Sequence, residues 1–233
     1  MVAVNAIYTF MQYFLSFLSL IFLFSCQSPN RTSMAQASLT VEPTALTDAE
    51  KLQLDTATFA GGCFWCTEAV FERVKGVRSV VSGYVGGDQP NPTYEAVSAG
   101  KTTHAEGVQV YYDPNEITYQ ALVKIFFGTH DPTQLNRQGP DVGEQYRSAA
   151  YYHNPQQQKA LEAYVKELGA SGKYDKPVVT QIEPFEVFYD AEDYHQNYYE
   201  NNPNNPYVMS VAKPKVQKLL KDFPEYLKDK ASV

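Results

Sequence analysis

From residue 55 to residue 190 the apolar positions recur at two spacings, and their order predicts strands interleaved with helices. "TATFA" (56–60) is a short β-type run, and "VRSVVSGYV" (77–85) and "GVQVYYD" (107–113) read as strands, the latter alternating Val108, Val110 and Tyr112. "FWCTEAVFERV" (64–74) puts Val70, Phe71 and Val74 on one side of a helix. "TYQALVKIFFGTH" (118–130) does the same with Leu122, Ile125 and Phe126. "RSAAYY" (147–152) is strand-like. In "NPQQQKALEAYVKELG" (154–169) Asn154 is the cap, Pro155 suits the first turn and Gly169 marks the end. "PVVTQIEPFEVFYD" (177–190) offers one or two further strands, interrupted at Pro184. The core order β-α-β-β-α-β gives the fold class: α+β, a two-layer ferredoxin-like split βαβ core with long ordered loops.

Those loops are 86–106, 131–146 and 191–207, longer than connections in a compact domain usually are. They carry Tyr94, Tyr146, Tyr194, Tyr198, Tyr199 and Tyr207, with Tyr84 at a margin, a composition that disordered segments avoid. They are therefore expected to be the ordered walls of a site. The domain is expected over 55–210. Residues 211–233, with "KPKVQKLLKDFPEYLKDK" (213–230), are expected to form an amphipathic surface helix and tail.

Residues 1–30 have no charged side chain, and the apolar run 6–24 is about long enough to cross a bilayer, although Tyr8, Gln12 and Tyr13 interrupt it. Leu23 and Ser25 before Cys26 resemble a lipoprotein signal. Segment 1–26 is thus expected to be a signal peptide or membrane anchor, giving an exported protein lipid-anchored at Cys26. Two features depart from that pattern: no Lys or Arg precedes the run, and Phe24 is bulky. The alternative is a cytoplasmic protein translated from Met34. Residues 27–54, rich in Ser, Thr, Ala and Pro, read as a linker either way.

With 44% hydrophobic and 19% charged residues the chain can bury a real core, and a net charge of −7 excludes a phosphate-tracking, nucleic-acid-binding surface. Three cysteines are too few for a disulfide scaffold. Cys63 and Cys66 have three readings. They are inert core thiols, or zinc ligands together with two of His104, His130, His153 and His195, or a redox pair. Cys63 follows Gly61 and Gly62 where strand passes to helix, a place where free N–H groups stabilise a thiolate. Cys66 lies one turn on, within disulfide reach, as chemistry through a sulfenic acid requires.

"GCFWCTEAVF", "SGYVGGDQPNPTYEAVSAGKTTHAEGVQVYYDP", "FFGTHDPTQLNRQGPDVGEQYRSAAYY" and "FYDAEDYHQNYY" together resemble the A-type peptide methionine sulfoxide reductases. The resemblance covers about residues 56–207. It implies reduction of the S epimer of methionine sulfoxide, free or in oxidised proteins, with no cofactor or metal. By the same resemblance Cys63 is the nucleophile and Glu106 the acid. Phe64 and Trp65 hold the substrate methyl group, Tyr94 and Tyr146 bind the sulfoxide oxygen, and Asp141 helps hold substrate. Many members have glycine where Cys66 stands and regenerate through cysteines near the C-terminus; no cysteine follows Cys66 here. Cys66 is then the resolving residue, forming a Cys63–Cys66 disulfide that thioredoxin or a similar dithiol reduces. Glu192, Asp193 and His195 receive no chemical step and read as a hydrogen-bonded clamp behind the site. The competing function is a general thiol-disulfide oxidoreductase, which would have no use for Glu106.

Overall fold

The computed structural model describes residues 46–229, so the readings of segment 1–26 and of Cys26 lie outside the described residues. Within the stretch read as linker, Thr47 and Glu50 cap a short helix α1 (Asp48–Lys51) reciprocally, the Thr47 N–H donating to Glu50 Oε2 at 2.8 Å. No helix among the described residues is long and apolar enough to cross a membrane.

Strands and helices then follow in the order β1 (Asp55–Gly61), α2 (Phe64–Glu72), β2 (Val77–Val85), α3 (Tyr94–Ser98), β3 (Ala105–Tyr112) and α4 (Tyr119–Thr129). After the two-residue strands β4 (Arg137–Gln138) and β5 (Asp141–Val142) come β6 (Ser148–Tyr152), α5 (Pro155–Ala170), β7 (Gln181–Pro184) and β8 (Phe188–Asp190), then α6 (Tyr198–Asn201) and α7 (Lys213–Asp222). The main sheet runs β7-β6-β1-β3-β2-β8. Its middle four strands, β6-β1-β3-β2, are antiparallel neighbours, as a split βαβ unit requires. The α+β expectation holds. Phe59 of β1 stacks between Phe71 of α2 and Phe126 of α4, at centroid distances of 5.4 and 4.7 Å, so one side chain joins sheet and helices.

The segment 177–190 behaves differently from a broken strand. β7 joins β6 in parallel at one edge, while β8 joins β2 antiparallel at the other. Only residues 185–187 connect them, a reach of about 14 Å from Pro184 to Phe188 when fully extended. Six flat strands would span about 24 Å. The sheet must therefore roll until its edges approach across the face opposite α2 and α4. There Ala60, Val85, Ala105, Ala149 and Tyr151 form a second, smaller core, with Phe185 and Phe188 packed on it.

Two sequence expectations need correction. Gly169 does not end α5; the helix runs to Ala170, and Gly172, with φ +69°, turns the chain away. Asn154 caps the other end as expected, accepting from the Gln157 N–H at 2.9 Å. Nor is 211–233 a mere surface tail. α7 buries Val216 and Leu219 against α2 and α4, and Phe223 follows them into the core. Helix α4 has Gly128 where Phe223 lands: a Cβ there would stand 2.2 Å from its ring. Beyond it the chain is tied to the end of α2 by the Lys75 N–H to Tyr226 O and the Lys228 N–H to Arg73 O bonds.

Candidate active site at the start of helix α2

β1 ends in Gly61-Gly62, and the turn needs glycine. Gly62 has φ +94°, and a Cβ on it would meet the Gln138 side chain at 2.5 Å. Gln138 is itself fixed, bonding both the N–H and the carbonyl of Asp131. This tight turn delivers Cys63 to the N-cap position of α2, with the Cys66 N–H donating to the Cys63 carbonyl at 3.1 Å. Both thiols are free and buried.

The first open N–H of the helix, that of Phe64, is occupied. It donates to Glu106 Oε2 at 3.1 Å. Glu106 is 2% exposed, on β3 opposite Tyr84 of β2. Burial pushes its carboxyl up to about 8, and Asp141 and Cys66 add to the rise against the pull of the Phe64 N–H. At neutral pH it is therefore chiefly a neutral acid, a proton donor sealed beside a thiol.

The thiols divide one charge unequally. Burial, then the neighbouring Cys66 and Glu106, push Cys63 well up. Cys66 falls to about 7, first because Cys63 hydrogen-bonds to it and then because Lys215 is close. Helix-start stabilisation of a Cys63 thiolate is thus outweighed here: the helix's free N–H serves a carboxyl, and the resting charge belongs on Cys66. The Tyr207 hydroxyl, within reach of both sulfurs, donates to Asp141 Oδ2 at 2.6 Å, and burial raises it too.

Aromatic rings wall the space in front of Cys63. Phe64 is buried and Trp65 half-buried, 6.2 Å apart between centroids. Tyr198 stacks on Trp65 at 3.8 Å, and Tyr207 meets its edge at 5.8 Å. The Tyr94 and Tyr146 hydroxyls feel both Glu106 and Cys63. Burial first and those groups next raise both, Tyr94 to about 12, so both remain O–H donors. All eight residues singled out in the sequence, Cys63, Phe64, Trp65, Cys66, Tyr94, Glu106, Asp141 and Tyr146, meet at this one place.

The "AEDYHQNYY" segment closes the back. Glu192 accepts from the Tyr84 hydroxyl at 2.8 Å and from the Tyr94 N–H at 3.0 Å. His195, held neutral by burial, accepts from the Trp65 indole N–H at 3.1 Å and lies 4.3 Å from the Tyr94 ring. Glu68 of α2 accepts from the Asn197 N–H at 3.0 Å, and burial pushes it up to about 8. Sequence reasoning left Tyr207 without a particular role and overlooked Lys215 altogether. The aromatic content of 191–207 pointed to Tyr207. Nothing in the lysine-rich segment 213–221 sets Lys215 apart from its neighbours.

Among the described residues no three His, Cys, Asp or Glu side chains converge as a metal site would. The histidines are engaged separately: His104 with Gln89 O, His130 with Phe126 O and Ser148, His153 with Thr58.

Comparison with known proteins is consistent with this geometry. The family model for peptide methionine sulfoxide reductase matches residues 55–227. A peptide methionine sulfoxide reductase MsrA of Deinococcus radiodurans is 52% identical over 174 residues, 75% of this chain and 84% of that protein. The MsrA of Sulfolobus acidocaldarius is 54% identical over 180 residues, 77% of this chain and 99% of its own length. Among solved structures, reduced Mxr1 from Saccharomyces cerevisiae superposes with a TM-score of 0.60 at 38% identity, covering 66% of this chain and 88% of that one. Methionine sulfoxide reductase A of Corynebacterium diphtheriae gives 0.59 at 39%, covering 65% and 76%.

Proposed function

The chain belongs to the peptide methionine sulfoxide reductase family, and from that premise we propose that it reduces the S epimer of methionine sulfoxide, with Cys63 as nucleophile and Glu106 as acid. One observation carries the reading: a buried carboxyl raised to about 8, fixed at 3.1 Å on the N–H of the residue after Cys63. A sulfoxide sulfur becomes electrophilic when its oxygen is protonated, and a carboxyl still protonated at neutral pH can do that.

Phe64 and Trp65 grip the methyl group, the Tyr94 and Tyr146 hydroxyls donate to the oxygen, and Asp141, through Tyr207, keeps the opposite wall polar. As the Cys63 sulfur bonds to the sulfoxide sulfur, its proton passes to Cys66 and Glu106 gives its proton to the oxygen; the hydroxyl then passes to the Cys63 sulfur as the substrate's S–O bond and the new S–S bond break. Methionine leaves; Cys63 is a sulfenic acid, Cys66 a thiol and Glu106 a carboxylate. The Cys66 sulfur then bonds to the Cys63 sulfur, and the hydroxyl departs as water, with the Cys66 proton relayed through Glu106. In total a sulfoxide and a dithiol become a sulfide, a disulfide and water. A thioredoxin-type dithiol restores the pair. Export with acylation at Cys26 completes the proposal, and would require a donor outside the cytoplasm.

The test is turnover of separate R and S epimers of a methionine sulfoxide peptide with dithiothreitol. Activity should be confined to the S epimer, abolished in Cys63→Ser and reduced about 100-fold or more in Glu106→Gln, the usual contribution of a positioned acid. Cys66→Ser should still release about one methionine per enzyme without reductant, since one thiol supports one reduction. Reduction of insulin disulfides with neither epimer reduced would overturn the reading.

A further inference from the structure

We propose that Lys215 is a positioning residue for the cysteine pair: its ammonium, enclosed behind the Gly62 turn, holds the negative charge on Cys66. Cys66 is thereby ready to take the Cys63 proton in the first step and to attack the sulfenic acid in the second. The inference rests on the reading of Cys63 and Cys66 given above.

Lys215 stands in the first turn of α7, just after the π-helical turn Val208–Ala212 that follows Tyr207. Such turns often mark functional places, and both this one and α7 pack against α2. The other lysines of α7, Lys213, Lys218 and Lys221, are exposed. The Lys215 Nζ is enclosed and, among the described residues, has no hydrogen-bond partner. It lies 3.7 Å from where a Cβ on Gly62 would stand, beside the turn that leads into Cys63.

A buried ammonium with three unused donors and no counter-charge is strongly disfavoured in a protein interior. Such a group persists where an anion lies close by or forms during the reaction. Its charge acts on Cys66 and His130, and around those two stand Cys63, Asp141, Tyr207 and Asp131, with Glu106 beyond Cys63. Asp141 is committed to Tyr207, Glu106 is chiefly neutral near pH 7, and burial drives His130 down to about 4, leaving it neutral. Asp131 is engaged by Thr133 and Gln134, and the anion whose formation Lys215 favours is the Cys66 thiolate. Hydrogen-bond donation by Cys63 and Tyr207 and the charge on Lys215 act together, and the charge on Lys215 is unaffected when Cys63 becomes a sulfenic acid.

The experiment has two arms. In Cys63→Ser, which keeps a hydroxyl donor beside Cys66, the pH profile of Cys66 alkylation gives its ionisation midpoint. Adding Lys215→Met should raise that midpoint by about one pH unit, Lys215→Arg should restore it, and the matched exposed change Lys218→Met should leave it in place. With both cysteines present, Lys215→Met should form the Cys63–Cys66 disulfide about tenfold more slowly at pH 7, prolonging capture of the sulfenic acid by a dimedone probe. A midpoint that does not move in Lys215→Met, or that fails to return in Lys215→Arg, would refute the assignment. Absence of any methionine release from the wild-type protein would instead sink the functional reading beneath it.

Discussion

At the scale of single residues the telling contact is the Phe64 N–H meeting a carboxyl. A helix start favours negative charge, yet Glu106 is buried deeply enough that desolvation exceeds that attraction, and its proton stays on to about pH 8. Single-turnover methionine release at pH 6 to 9.5 should therefore fall as pH rises through about 8, because the acid is lost there. Glu106→Gln should be slow throughout and lack that limb; a wild-type rate that stays flat to pH 9.5 would contradict the assignment. Cys63, Phe64 and Trp65 were legible because they lie together in one turn. Glu106, Tyr94, Tyr146 and Asp141 came only from the resemblance, since nothing local brings residue 106 to residue 64. Lys215 was illegible for a related reason: nothing local brings α7 to the start of α2.

At the scale of elements the period of apolar residues located β2 to the residue, and Asn154 was read correctly as the N-terminal cap of α5. It did not give partners. Periodicity reports which face of a strand is buried, and says nothing of the neighbour it pairs with, so 177–190 concealed two strands on opposite edges. The role of α7 was hidden likewise. Its apolar stripe is narrow, and the surface it covers lies on α2 and α4, far earlier in the chain, including the glycine of α4 that admits the Phe223 ring. Gly128→Ala should lower stability by about 1–3 kcal/mol in urea unfolding, the usual penalty for overfilling a packed core. An unchanged midpoint would mean that α7 and its following turn detach easily.

For the whole molecule, three carboxyls are shifted upward, buried Glu68 and Glu106 to about 8 and half-buried Glu72 to about 7, each chiefly by desolvation. Each has a folded pKa above its unfolded one, so its contribution is fully present below about pH 4.5 and is lost as pH rises through 7 to 8. His130, driven down to about 4, and His153 and His195, also lowered by burial, act oppositely and withdraw stability as pH falls below the ordinary value of 6.5, but only below that value, whereas the acids lose theirs through 7 to 8. Urea unfolding should show stability declining by several kcal/mol from pH 5 to pH 8.5. Glu68→Gln, which keeps an acceptor for the Asn197 N–H, should flatten that decline. A stability curve that rises over this range would show these acids to be ionised in the fold. The rolled sheet has a bearing on the company the protein keeps. Oxidised polypeptides that have begun to unfold seek strand edges to pair with. Here the two edges are strands of four and three residues, one ending in Pro184, and a three-residue link draws them towards each other. Neither edge offers a long, straight template, so damaged chains can approach the cysteines without being recruited into aggregates on the enzyme that receives them.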